Sequence, residues 1–438
     1  MLPRFEVVRR LRPIDLIRPG AEVEVEVGRP VPVEVAAPYA AIVVEPGDEA
    51  AAAFHLGGLR LGMRLVDDVV TLSITGGERS REPRSRRHGR VATAPSRVAL
   101  TLTGTHLTAL TEEEGRWVAR GRHDLRDDLD SRDPDALAAL RVETHGARAH
   151  AGPFGQLGLR DIRLVTERDG TPLRDGSALL LSATSAGPGF FDTAHTSVWS
   201  LDPETLALEH RSDLFFRRPD RPGVYGDHAT HVVRDGDAWL VATSTWGDFR
   251  QDDPDRTVRA TLARTATDVL SGTHVLDTVE LRLPTDGFTS VGTWDPHLVH
   301  TGDEWLVGFA SARKFFRFHP ALASGPTLDE LVLRGAATDR KATEGTTVLR
   351  IGDEWRVLAS DGRDGRRGQR MRYPVFDLAM TEVGELEAAY PTNLPWPTLV
   401  DTERGWLMVT FNGAPATGPL VGYGTHGDVV VQREAGRV

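Results

Sequence analysis

Trp294-Asp-Pro-His-Leu-Val-His300, turned back by Thr301-Gly-Asp-Glu304 into Glu304-Trp-Leu-Val-Gly308, is one copy of a phrase that the chain repeats. An acidic or polar turn leads into a strand, a tight turn follows, and a second apolar strand returns. Earlier copies are Arg160-Asp-Ile-Arg-Leu-Val165 with Ala178-Leu-Leu-Leu-Ser182, and Asp227-His-Ala-Thr-His-Val-Val233 with Ala238-Trp-Leu-Val-Ala242. Later ones are Glu344-Gly-Thr-Thr-Val-Leu349 with Glu354-Trp-Arg-Val-Leu358, and Pro395-Trp-Pro-Thr-Leu-Val400 with Gly405-Trp-Leu-Met-Val409. The joining turns, such as Arg234-Asp-Gly-Asp237 and Ile351-Gly-Asp-Glu354, are hairpin chemistry. A period of roughly 50 to 70 residues is the length of a four-stranded propeller blade with its loops. The repeat predicts a five-bladed β-propeller over residues 152–438. Trp239, Trp305, Trp355 and Trp406 hold one place in the second strand, and we expect them to pack between neighbouring blades.

The texture before Gly152 differs. Glu22-Val-Glu-Val-Glu-Val-Gly28 and Arg97-Val-Ala-Leu-Thr-Leu-Thr-Gly104 alternate apolar and polar residues with period two. Many short strands of this kind predict an N-terminal β-sandwich over residues 1–151, concanavalin- or laminin-G-like in texture. Asp133 and Pro134 suit the cap and first position of a short helix. The fold class is therefore all-β, a five-bladed β-propeller preceded by a β-sandwich.

Composition narrows the function classes. The chain has 438 residues and a net charge of −11, which disfavours nucleic-acid and membrane partners. The absence of cysteine removes disulfides, thiolate nucleophiles and Cys-based zinc sites. No window reaches the roughly 18 apolar residues of a membrane span. The segment beginning at Met1 lacks the apolar core of a secretory signal, so a cytoplasmic location is expected.

In a propeller, equivalent residues at the starts of the innermost strands converge on one end of a central channel. We take those equivalents as Asp161, Asp227, Asp295 and Glu344, with Trp396 in the fifth blade. Unpaired acids gathered in one place are electrostatically costly, which points to a functional site, although each could also be an ordinary turn residue. Carboxylates of unlike environment suit glycosidic cleavage, where one stays protonated as acid and another ionised as base. Aromatic Trp294 and Trp396 would stack on a sugar face. Arg160, Asp227, His228 and His297 are candidates to bind its hydroxyls, and each has an alternative packing role.

The Asp161, Trp294-Asp-Pro-His297 and Glu344-Gly345 pattern resembles glycoside hydrolase family 43 and its relatives in families 32, 68, 117 and 130. The resemblance spans about 280 residues and departs from the family pattern at Ile162 and Thr346. It implies Asp161 as general base, Asp295 as the group that tunes and orients, and Glu344 as general acid. It also implies an oligo- or polysaccharide substrate containing furanose sugars, as for an arabinofuranosidase or arabinanase, and inversion at the anomeric carbon. No cofactor is required for the chemistry. A structural Ca2+ in the channel, with His426 near it, is a further implication. The alternatives are a phosphorylase or transglycosylase on the same frame, with phosphate held by the loop from Arg363 to Arg372, or a non-catalytic carbohydrate-binding protein.

Overall fold

A computed structural model describes residues 2–47, 49–146, 148–362, 366–367, 370–413, 417–421 and 427–436. Strands dominate. The described helices are one short α-helix, Pro134–Ala138, and a single 3-10 turn, Phe191–Thr193, neither long enough to cross a membrane. Asp133 caps the α-helix as expected, its side chain accepting from the Asp135 N–H.

The N-terminal part builds two antiparallel sheets. In the strand Val69–Gly76, Val70, Leu72 and Ile74 point inward while their neighbours stay partly exposed, as period two requires. Those side chains meet Ile42, Val44, Leu100 and Leu102 of the other sheet in one shared core. That other sheet is buried on both faces. Tyr39, Ala41, Ala99 and Phe154 on its second face pack with Phe215 and Val224 from the C-terminal part. Its strand Arg97–Thr103 is accordingly buried almost throughout.

The boundary drawn at residue 151 moves in two ways. Arg148–Gln156 runs as one strand of the N-terminal sheet. Phe5–Leu11, assigned from sequence to the N-terminal domain, pairs instead with Asp428–Glu434 at the far end of the chain.

From Leu159 onward the strands form five sheets in chain order, each opening on one of the repeated phrases. Their first long strands are Leu159–Leu164, His228–Asp235, Thr293–His300, Thr343–Ile351 and Thr398–Thr402. The tryptophans sit between sheets. Trp239 shares a buried cluster with Val165 and Leu180 of the first sheet, and Trp305 with Val233 and Leu240 of the second. Trp355 packs on Val299 and Leu306 of the third, and Trp406 on Leu358 and Tyr373 of the fourth. Val400, Leu407 and Val409 of the fifth sheet then cluster with Leu159, Leu179 and Trp199 of the first. Each sheet packs on the next and the fifth packs back on the first. Truncating one such Trp to alanine is expected to cost about 3–5 kcal/mol.

Candidate active site

The first four inner strands share a local irregularity that positions the site. Pairing with the second strand slips between Arg160 and Arg163, His228 and His231, Trp294 and His297, and Glu344 and Thr347. Each slip is a β-bulge, which bends the strand and re-aims a side chain. One residue in each bulge takes a left-handed backbone: Asp161, Ala229, Asp295 and Gly345, with φ of 51°, 62°, 58° and 68°. For a non-glycine residue this costs about 1–3 kcal/mol, which the flanking pairing must offset. At Gly345 the geometry demands glycine twice over, since a Cβ would lie 2.1 Å from the Trp396 ring.

The bulges correct the equivalence read from sequence. Structurally, Arg160, His228, Trp294 and Glu344 occupy one position, and Asp161, Ala229, Asp295 and Gly345 the next. Asp227 precedes its bulge and belongs to neither set. It is fully buried, with the guanidinium of Arg218 on both carboxylate oxygens and the Gly247 N–H at 3.0 Å. Its place is a buried ion pair outside the pocket, and the expected ring of four acids reduces to three.

Asp161, Asp295 and Glu344 line one pocket, together with Arg160, His228, Trp294 and Trp396. Seven of the ten residues singled out from sequence thus come together. Glu344 is partly buried, and desolvation with the nearby Asp161 charge pushes its carboxyl up to about 8. The Trp294 indole N–H, 3.3 Å from a Glu344 oxygen, and Arg160 pull the other way. Asp295 is raised well above the usual carboxylate range by burial, then by Glu344 and Asp161, against the opposing pull of Arg163 and the Gly345 N–H. Its backbone is pinned, with N donating to Ser244 at 2.9 Å and O accepting from Arg163 at 2.9 Å.

His228 is buried, and burial lowers it to about 3, so the ring is neutral. Its Nδ1 lies 3.0 Å from the Gly226 carbonyl and therefore carries the proton, which leaves Nε2 as an acceptor. Among the described residues that Nε2 has no partner, and neither do Arg160 Nε, Asp295 Oδ2 or Trp396 Nε1. Buried polar atoms without partners are rare in folded proteins, and four of them in residues lining one pocket point to a polyhydroxyl ligand. Phe191, Trp246, Phe249 and Phe315 form an aromatic wall, with Phe191 and Trp246 stacked 4.3 Å apart.

His297 lies elsewhere. It follows its bulge, lines the opposite opening beside Arg163, and stacks on His231 at 4.0 Å and 8°. His231 Nδ1 accepts from the Leu298 N–H at 3.0 Å, and His297 Nδ1 accepts from the Val348 N–H at 3.3 Å. These histidines tie successive inner strands together. His426 lies outside the described residues.

Arg163 was not singled out from sequence, although it holds the place that His231 and His297 hold in their strands. It is fully buried, donates to the carbonyls of Thr346 and Asp295 at 2.7 and 2.9 Å, and lies 4.4 Å over Trp396. Its guanidinium supplies a cation beneath the acids. Calcium takes six to eight oxygen ligands. Among the described residues no group of three or more His, Asp or Glu is placed to hold a metal, and a divalent ion beside Arg163 would meet like charge. The residues present do not fit a calcium ion there.

The N-terminal part reaches the site from behind. His106 Nε2 lies 2.6 Å from Asp192, the neighbour of Phe191, and Tyr39 donates to the Ala194 carbonyl at 2.7 Å. Arg132 donates to the Gly247 carbonyl at 2.9 Å, next to Trp246.

The chain matches no protein family model and no curated protein. Among solved structures it is similar to the GH32 β-fructofuranosidase BmSUC1 of Bombyx mori. That match has 13% identity and a TM-score of 0.43, covering 62% of this chain and 59% of that one. The chain thus spans less than two thirds of that enzyme's length. It is also similar to Zg3597, a family 117 glycoside hydrolase of Zobellia galactanivorans, at 10% identity and TM-score 0.45, covering 63% and 84% of the two chains. A third is the inulosucrase of Halalkalicoccus jeotgali bound to kestose, at 13% identity and TM-score 0.47, covering 64% and 86%.

Proposed function

We propose that the chain is a glycoside hydrolase, its five sheets the blades of a β-propeller and its two N-terminal sheets a β-sandwich. The observation that carries this reading is the convergence of three carboxylates from three inner strands on one aromatic pocket, with Glu344 protonated at neutral pH. Glu344 delivers its proton to the glycosidic oxygen as the C–O bond breaks. Asp161 takes a proton from the water that attacks the anomeric carbon. Asp295, whose Oδ2 has no partner among the described residues, orients a sugar hydroxyl.

The substrate class we propose is a furanose-containing glycan, with arabinofuranosides first and fructosides next. Hydrolysis is favoured over phosphorolysis because Arg372 of the candidate phosphate loop is held by Glu382 and Glu385; Arg363 lies outside the described residues. A purely binding role leaves the protonated Glu344 unused. A screen of aryl furanosides, arabinans and fructans tests the reading, with the product anomer followed by NMR. Turnover abolished in Glu344→Gln supports it, and inversion supports Asp161 as base. Unchanged turnover in Glu344→Gln rejects it.

A further inference from the structure

A second cleft adjoins the catalytic pocket: Phe249 lines the cleft and packs its ring against Phe191, Trp246 and Phe315 of the pocket. The catalytic pocket holds about 90 Å³, whereas the second cleft holds about 550 Å³. Small-molecule sites usually span about 300–1,000 Å³, so the first is too small to hold an oligosaccharide and the second is not. The cleft is built jointly. Thr105, Arg126 and Arg132 come from the N-terminal part, facing loops of the second sheet.

Seven arginines and six carboxylates line this cleft, so its charge nearly cancels. Arg126, Arg218, Arg221 and Arg250 are held in carboxylate contacts. Arg132, Arg256 and Arg259 make no ion pair among the described residues, and neither do Asp255 and Glu280. Arg132 lies 4.9 Å over Tyr225, and Arg256 lies 5.3 Å over Phe315, a ring of the catalytic pocket. Thr261, buried in the cleft wall, has a hydroxyl without a partner among the described residues. Free donors and free acceptors side by side match a ligand whose groups both donate and accept. Sugar hydroxyls do so, whereas an anion would meet Asp255 and Glu280.

We propose that this cleft binds the leaving-group portion of a neutral oligosaccharide. The sugar to be released occupies the catalytic pocket, and the remainder runs along the N-terminal part. The proposal rests on the glycosidase reading and extends it to substrate length.

The test is calorimetry in the Glu344→Gln background, titrating arabinotetraose, a β-fructan tetrasaccharide and trigalacturonate, with the corresponding monosaccharides for reference. Thr261→Val removes a hydroxyl that bonds nothing in the protein and so leaves the fold intact; Arg259→Ala is exposed. At least one neutral tetrasaccharide should bind more tightly than its monosaccharide. That gain should shrink about threefold in Thr261→Val and about tenfold in Arg259→Ala. An unchanged gain in both variants overturns the proposal, as does a preference for trigalacturonate or no tetrasaccharide binding at all. Turnover persisting in Glu344→Gln would instead strike the underlying reading, independently of these affinities.

Discussion

The inner strands carry opposite chemistry at their two ends. At the pocket end, the bulges hold Asp161, Asp295 and Glu344 among unpartnered atoms and shifted protons. At the other end, a few residues along the same strands, His231, His297 and Arg163 are buried still more deeply than Asp161 and Glu344, yet each bonds a neighbouring strand. Burial alone therefore does not mark a site. Nor do polar atoms without partners, which also occur singly elsewhere, Arg163 Nε among them; what marks the pocket is that four of them gather on residues lining one cavity, where a ligand can supply the missing bonds.

The largest effect should fall at the pocket end. Glu344→Gln is expected to lower kcat about 100- to 10,000-fold, read with the furanoside identified by the screen, while the thermal unfolding midpoint holds or rises. A more deeply buried acid that belongs to the scaffold should behave in the opposite way. Asp227→Ala leaves Arg218 buried without its carboxylate and should cost about 3–5 kcal/mol in a denaturant titration. Activity per folded molecule should be kept. Were Asp227→Ala stable but inactive, the two classes of acid would be wrongly drawn.

Smaller effects sharpen the contrast. His297→Phe strands the Val348 N–H in the interior, with an expected loss of about 1–3 kcal/mol in stability and little change in KM. His106→Ala frees Asp192 and with it the Phe191 wall. KM should rise a few-fold with kcat nearly constant, a split that a purely structural loss would not produce.

Proton linkage gives the sign of a pH effect. The folded state keeps the Glu344 proton to about pH 8, whereas the unfolded chain releases it near 4.5. This contribution to stability is fully present below pH 4.5 and is lost as pH rises through about 8. Glu344→Gln should flatten that part of the stability curve.

Much of this was legible in the sequence, for identifiable reasons. Alternation and the recurring Trp239, Trp305, Trp355 and Trp406 reveal strands and sheet contacts because they repeat locally. Aligning the acids of the repeat brings together Asp161, Asp295 and Glu344, which line one pocket although Glu344 sits one position earlier in its bulge, and wrongly adds Asp227. The frame that matters is the bulge, and whether Asp227 or Ala229 takes the turn of the chain depends on pairing with a strand still to come. Gly345 was the visible clue to that frame. The pairing of Phe5–Leu11 with Asp428–Glu434 spans nearly the whole chain and leaves no local trace. The same holds for Arg163, whose partners Asp295 and Thr346 lie far along the sequence.

As the acid of the proposed reaction, Glu344 must hold its proton at neutral pH. A carbon-13 NMR titration of the side-chain carboxyls reads this, with the Glu344 signal identified by its loss in Glu344→Gln. A midpoint near 8 is the predicted result. A midpoint in the ordinary carboxylate range, about 4 to 5, would contradict the assignment of Glu344 as the acid.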